Sequence, residues 1–240
     1  MIPTRPLEFE EHPVRRPSMG EGDDAVAPTG PLGILAPPER LLWTIMRRLE
    51  AIALDRYERF VPALATPAKR IVVGRLRDEV PTDLALTGQE LEGPLRDLCR
   101  AASTDSALAT LCVQGLTLER LGQAIYTRLA TSPGAGPLSR HLGAFGSEAA
   151  GVSIELAVAE LQRRASTEDL LAAYCTATRP VLACFDALGV AADRALGGHF
   201  GLRFIDVLTD VATELIDDCV HLGMDRRKLV CHLTAAFMGS

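Results

Sequence analysis

The sequence predicts an all-α protein, an irregular multi-helix bundle that follows an extended, proline-rich N-terminal arm. Three observations predict this fold. Apolar residues recur at spacings of three and four in most segments after residue 40, the period of a helix with one buried face. Alanine and leucine are abundant, and aromatic residues make up only 5% of the chain. Such a composition favours helices over sheets.

Residues 1–38 are predicted to form a disordered or extended arm. They contain eight of the fifteen prolines of the chain, and proline neither continues a helix nor donates a hydrogen bond to a sheet. Leu7, Phe9 and Val14 are the few residues that could anchor the arm on a partner or on its own domain. Residues 39–240 are expected to form a single all-helical domain.

The first two helices of this domain are predicted to carry a charged face opposite an apolar one. The helix over residues 40–65 places Glu50 on its charged face, and Pro67 follows its end. The second helix is expected to end near Val80. Its basic residues are interpreted as a solvated face: Lys69, Arg70, Arg75 and Arg77.

The middle of the chain is predicted to form three short helices, over residues 88–101, 104–114 and 117–131. Thr117 is the expected N-cap of the third, because threonine at this position accepts hydrogen bonds from the first turn. Residues 132–137 follow as a loop, since four of these six residues are proline or glycine. This loop is also a possible boundary between two subdomains.

Two further helices follow the loop. The first is predicted over residues 147–164. The second begins with Ser166 and Asp169, whose spacing is typical of a capping box. It is expected to reach Leu188, with an interruption at Pro180 because proline lacks the backbone donor that a helix needs.

The helix predicted over residues 204–222 has the clearest pattern in the chain, with an apolar stripe on one side and an acidic stripe on the other. Gly223 is expected to end it, and Asp225 to cap a final helix. The apolar stripe consists of Phe204, Leu208, Val211, Leu215, Cys219 and Leu222. The acidic stripe consists of Asp206, Asp210, Glu214, Asp217 or Asp218, and His221.

Part of the acidic stripe has the spacing of a metal-binding motif. Asp218-x-x-His221, with Glu214 one turn earlier, resembles the carboxylate-x-x-His element of ferritin-like di-iron bundles. The resemblance implies an alternative function, a helical-bundle metal- or cofactor-binding enzyme with ligands on the 204–222 helix. Those bundles use two such elements, whereas leucine stands three residues before the other histidines of the domain: His141, His199 and His232. A solvated acidic face is therefore favoured, and no metal or other cofactor is predicted.

Composition and charge narrow the class of protein. A net charge of −6 argues against a surface built to bind nucleic-acid backbones. Six cysteines without a C-x-x-C pair predict reduced thiols and a cytoplasmic location. Neither a signal-peptide pattern nor an uncharged run long enough to span a bilayer is present, so membrane insertion is not expected. Only two of the 25 basic residues are lysines, a bias typical of GC-rich bacterial genes.

A second alternative function is a helix-turn-helix regulator. The motif consists of two helices joined by a turn, and a similar order is found in residues 116–125, the glycine- and proline-rich turn and residues 138–142. The turn is long for the motif, however, and the second helix offers only Arg140 and His141 to a DNA groove.

The favoured hypothesis is a non-enzymatic interaction protein, such as an adaptor, chaperone or assembly subunit, that acts through its C-terminal helix and its N-terminal arm. The final helix is apolar around most of its circumference, yet it lies at a chain end, where exposure is usual. A protein partner or a second copy of the chain would cover it. No catalytic residue is predicted, because nucleophile-elbow, Walker and dinucleotide patterns are absent. The expected interface residues are Leu229, Val230, Leu233, Phe237 and Met238.

Overall fold

A computed structural model describes Leu35 and residues 37–80, 108–166, 168–174, 176–177 and 203–238. Throughout these residues the protein is an all-α bundle, and none of them lies in a strand. The predicted fold class is therefore confirmed for the described part of the chain.

The described residues form six α-helices and one 3₁₀ helix, in addition to helical residues at 168–174 and 176–177. In chain order they are α1 (Pro37–Phe60), the 3₁₀ helix (Pro62–Leu64), α2 (Pro67–Glu79), α3 (Leu108–Thr131), α4 (Pro137–Arg164), α5 (Phe204–His221) and α6 (Arg226–Met238).

Helices α3 and α4 form an antiparallel hairpin around the predicted 132–137 loop, and small residues let the two backbones approach closely. A Cβ atom added to Gly143 would lie 2.7 Å from the backbone nitrogen of Ala130 and 2.8 Å from the carbonyl oxygen of Tyr126. A Cβ atom on Gly146 would lie 2.7 Å from the ring of Tyr126. A side chain at Gly143 would therefore require the hairpin backbones to move apart, and one at Gly146 would require the Tyr126 ring to move.

The core extends from this hairpin to α1. The ring of Trp43 stacks on that of Tyr126, with 5.9 Å between the ring centroids, and both side chains are fully buried. The indole N–H of Trp43 donates a hydrogen bond to Ser139 Oγ at 2.8 Å. These contacts join α1, α3 and α4, and they satisfy the single polar group of the tryptophan.

Two predicted boundaries in the middle of the chain are wrong. The helices expected over residues 104–114 and 117–131 are one continuous helix, α3, within which Thr117 is not an N-cap. Its hydroxyl donates to the carbonyl oxygen of Val113 at 2.8 Å, a bond that a threonine makes inside a helix. Helix α4 begins at Pro137 rather than at residue 147, because proline is well suited to the first turn of a helix. The helix predicted over residues 88–101 lies outside the described residues.

The other predicted caps, at residues 166–169, 223 and 225, are confirmed. Ser166 Oγ accepts from the backbone N–H of Asp169 at 3.1 Å, and Asp169 Oδ2 accepts from that of Ser166 at 3.3 Å, which is the reciprocal pattern of a capping box. Gly223 has a φ of 89° at the end of α5. Asp225 Oδ1 accepts from the N–H of Arg227 at 2.7 Å at the start of α6.

The structure describes only the last residues of the predicted 1–38 arm, which are Leu35, Pro37 and Pro38. Leu35 is 5% exposed and belongs to the core, and α1 already begins at Pro37. A proline is tolerated in the first helical turn, where its missing N–H would have had no partner. Residues 1–34 lie outside the described residues, as do Leu188 and Pro180 of the predicted interruption.

Among the described helices, α4 has the length and apolar composition needed to cross a membrane, over Pro137–Arg163, and 44% of its most apolar window is buried inside the protein. A core helix of a folded domain can have the same length and apolar composition, and α4 packs closely on α3.

Candidate functional site

A cluster of charged and phenolic side chains is buried where α1, α2 and α3 meet. Helix α1 contributes Glu50 and Tyr57, α2 contributes Lys69, and α3 contributes Glu119 and Tyr126. None of these five residues is more than 4% exposed. Charged residues are almost never buried to this extent unless they are paired. We refer to these five residues as the buried Glu–Lys–Tyr cluster.

Helices α1 and α3 contribute to the cluster in the same way. Each carries a glutamate followed seven residues later by a tyrosine, a spacing of two turns that puts both side chains on one face. The hydroxyl of Tyr57 donates to Glu119 Oε1 at 2.7 Å, and the hydroxyl of Tyr126 donates to Glu50 Oε1 at 2.7 Å. The two helices are therefore antiparallel here, and each tyrosine binds the glutamate of the other helix.

Lys69 lies between the two glutamates. Its Nζ is 2.6 Å from Glu119 Oε1, forms a second ion pair with Glu50 Oε2, and lies 5.9 Å from the centroid of the Tyr57 ring. The start of α2 fixes the position of this lysine, because Thr66 Oγ1 accepts a hydrogen bond from the Lys69 N–H at 3.0 Å. One ammonium group thus joins three helices.

The cluster shifts the protonation equilibria of its members. Burial, together with the nearby negative charge of Glu119, raises the pKa of Tyr57 well above 10.0. Burial and the charge of Glu50 do the same for Tyr126. Burial alone would lower the pKa of Lys69, but the two carboxylates outweigh it and raise that pKa. The pKa of Glu119 is also raised, mainly by burial. All four groups therefore hold their protons more tightly than they would in water.

The expectation that Glu50 and Lys69 lie on solvated faces is wrong. Glu50 falls at spacings of four and three within a buried stripe of α1 that includes Met46 and Ala53, and Lys69 precedes the buried Val72 of α2 by three residues. The sequence signal that could have predicted their burial is a charged residue at the helical spacing of an apolar stripe. The partners of these residues come from distant parts of the chain, so no local spacing could identify them.

A small cavity beside the buried Glu–Lys–Tyr cluster has room for about one water molecule. Elsewhere in the described residues, no three histidine, cysteine, aspartate or glutamate side chains come together in the geometry of a metal site. The arrangement joins helices α1, α2 and α3 through ion pairs and hydrogen bonds, and the cavity beside it is too small for a molecule much larger than water.

The acidic stripe of α5 faces arginines of α3 at several points. The guanidinium group of Arg120 donates from Nε to Asp218 Oδ2 at 2.8 Å and from Nη2 to Asp218 Oδ1 at 2.5 Å. Glu214 lies 3.4 Å from the same guanidinium group, and Asp210 pairs with Arg128. These ion pairs between the acidic stripe and the arginines join α5 to α3.

Two of the three candidate metal ligands share one basic partner, because Glu214 and Asp218 both pair with the guanidinium group of Arg120. His221 is exposed, and its Nδ1 contacts the carbonyl oxygen of Asp217 at 2.8 Å within its own helix.

The apolar stripe of the same helix packs into the core. Val211, Leu215 and Cys219 are at most 2% exposed, as the periodicity predicts, and Leu222 is partly buried. Burial, followed by the charge of Asp218, raises the pKa of Cys219 to about 12, so its thiol stays protonated. The side chains of Phe204 and Leu208 lie outside the described set.

The final helix, α6, packs on α5 and presents an exposed side. Leu229 is completely buried, whereas Val230 is 42% exposed and Cys231 is also exposed. Three basic residues form an exposed first turn: Arg226, Arg227 and Lys228. For the other predicted interface residues, Leu233, Phe237 and Met238, the structure describes the helical backbone only.

The residues of the possible DNA-binding segment lie in two long helices, α3 and α4. Arg140 and His141 are both exposed near the start of α4. Arg75 of α2 donates from Nη1 to His141 Nε2 at 2.8 Å, and its guanidinium carbon lies 4.6 Å from the centroid of the Phe145 ring. Arg75 and His141 thus contribute to the packing of α2 on α4.

Comparison with known proteins gives no relative for this architecture. No protein-family model, curated protein or solved structure matches the chain.

Proposed function

We propose that this protein is a non-enzymatic helical interaction protein of the cytoplasm, an adaptor, chaperone or assembly subunit, and that its first partner is a second copy of the chain. The proposed interface is the outer side of α6, with the N-terminal arm as a second binding element. The observation that carries the proposal is the environment of α6, a helix that packs on α5 and buries Leu229 completely while the neighbouring Val230 is 42% exposed.

The apolar sequence of α6 supports this interface. Leu233, Phe237 and Met238 continue the apolar pattern along the helix. Phenylalanine and methionine are enriched in protein interfaces. A symmetric dimer is the commonest way for a soluble chain to cover such a surface.

The chemistry of the other polar groups supports a binding rather than a catalytic role. The cavity beside the buried Glu–Lys–Tyr cluster has room for about one water molecule, and Glu214 and Asp218 are both paired with Arg120. Both arrangements join helices, so they suit a protein whose task is to present a rigid surface.

Truncation after Asp225 tests this function. We expect the shortened chain to keep its helical circular dichroism and to lose self-association, measured as molar mass by light scattering. Because the truncation also removes the buried Leu229, it should lower the free energy of unfolding by about 2–5 kcal/mol. Complete unfolding of the truncated chain, or a monomeric mass for the full-length protein, would contradict the proposal.

A further inference from the structure

The cavity beside the buried Glu–Lys–Tyr cluster has both apolar and polar walls. Its polar wall consists of Glu50, Lys69 and Glu119, and Gly122 of α3 leaves space next to them. The apolar wall consists of Met46, Leu49, Ala53, Leu118 and Ile125. Purely apolar cavities of this size stay empty, whereas polar cavities hold water when the water has two or more partners.

Two carboxylate oxygens of this wall, Glu50 Oε2 and Glu119 Oε2, lack a hydrogen-bond partner among the described residues, but Glu50 Oε2 forms an ion pair with Lys69. Glu119 Oε1 accepts from Tyr57 and pairs with Lys69, but Glu119 Oε2 is fully buried and accepts from no group of the described protein. A buried oxygen without a partner costs about 1–3 kcal/mol, so native structures usually supply a donor.

Lys69 has an N–H donor that could complement the unpaired oxygen of Glu119. An ammonium group has three protons, and the two carboxylates that it contacts account for two of them. A small molecule between Lys69 Nζ and Glu119 Oε2 would accept from the first and donate to the second. A cation could not accept from Lys69, and an anion would be repelled by the two carboxylates, so the ligand must be neutral.

We propose that this cavity is a binding site for one water molecule, which accepts a hydrogen bond from Lys69 Nζ and donates one to Glu119 Oε2. The bound water completes the polar network between α2 and α3. Water is the neutral molecule whose size fits the cavity. With this water bound, the ion pairs of the cluster are hydrated.

Substitution of Gly122→Ala tests the site because it fills the cavity. The added Cβ atom would lie 3.6 Å from Glu50 Oε1 and 3.7 Å from the Tyr126 ring, ordinary contact distances that allow the variant to fold. The matched control is Gly74→Ala in α2, where no atom lies within 4 Å of the added Cβ. Alanine in place of a helical glycine should raise the Tm of the control by roughly 2–4 °C.

We expect a crystal structure of the full chain to show a water within hydrogen-bond distance of both Lys69 Nζ and Glu119 Oε2. The same peak should be absent from Gly122→Ala, and this variant should gain less in Tm than Gly74→Ala because it loses the water. The proposal is overturned if the wild-type protein has no such peak and Glu119 Oε2 contacts Glu50 directly. An equal gain in Tm for the two variants would also overturn it.

Discussion

At the scale of single residues, the two lysines of the chain occupy opposite environments. Lys69 is 3% exposed and lies between two buried carboxylates, whereas Lys228 is exposed in the first turn of α6. Removing one partner of a buried ion pair leaves an uncompensated charge in a medium that solvates it poorly. The same substitution should therefore have very different effects at the two positions.

The substitution Lys69→Met is expected to lower the free energy of unfolding by about 3–5 kcal/mol, because it leaves Glu50 and Glu119 without their counter-ion. Lys228→Met, the control, should change it by less than about 0.5 kcal/mol, as exposed substitutions usually do. Urea denaturation of both variants measures the difference. Equal stabilities for Lys69→Met and the wild-type protein would show that the lysine is not part of the core.

Alkaline pH should destabilise the domain through Tyr57, Tyr126 and Lys69. Their pKa values are raised in the folded protein, so the folded state binds more protons than the unfolded state above the ordinary tyrosine pKa of 10.0. The stabilisation is fully present below that pH and is lost as the pH rises through the higher folded pKa values. We expect the Tm to fall steeply above pH 10.0, and less steeply in the double variant Tyr57→Phe/Tyr126→Phe. An identical slope for the two proteins would refute this account.

At the scale of elements, apolar periodicity predicted the helices well wherever the period continued without interruption. The helix expected over residues 204–222 appears as α5, and Gly223 ends it as predicted. Thr117 misled the prediction because its hydroxyl can either cap a helix or bind the carbonyl oxygen four residues earlier within one. That choice depends on the contacts of the surrounding turns, which the local sequence does not contain.

The candidate site was less predictable than the helices. Glu50 and Lys69 looked like ordinary surface charges because glutamate and lysine are usually exposed. Their burial follows from Glu119, which lies far away in the sequence and comes close only when α1, α2 and α3 pack together. For the same reason, the pairing of Asp218 with Arg120 could not be read from the spacing of the acidic stripe.

The hairpin of α3 and α4 depends on a close backbone contact at Gly143. Gly143→Ala should lower the free energy of unfolding by about 1–3 kcal/mol, because the new Cβ atom would lie 2.7 Å from the backbone nitrogen of Ala130. Gly151→Ala in the same helix is the control, since its nearest neighbour is the flexible Gln123 side chain at 3.5 Å. Thermal denaturation compares the two, and equal or greater stability for Gly143→Ala would contradict the close contact.

At the scale of the whole molecule, few large apolar residues of the described chain are exposed: Ile71, Val152, Val220 and Val230. Val152 and Val230 are both 42% exposed, but they lie on different helices, α4 and α6. Only α6 belongs to the proposed interface. The two valines are therefore alike in side chain and exposure, but only Val230 lies in the proposed interface, so Val152 serves as its control.

Sedimentation equilibrium of the full-length protein and of Val230→Arg and Val152→Arg tests the proposed self-association most directly. We expect a dimer for the wild-type protein and for Val152→Arg. For Val230→Arg we expect a monomer with unchanged circular dichroism, because a charged side chain would be buried without a partner in the interface. A wild-type monomer, or a Val230→Arg dimer as stable as that of the wild type, would contradict the account.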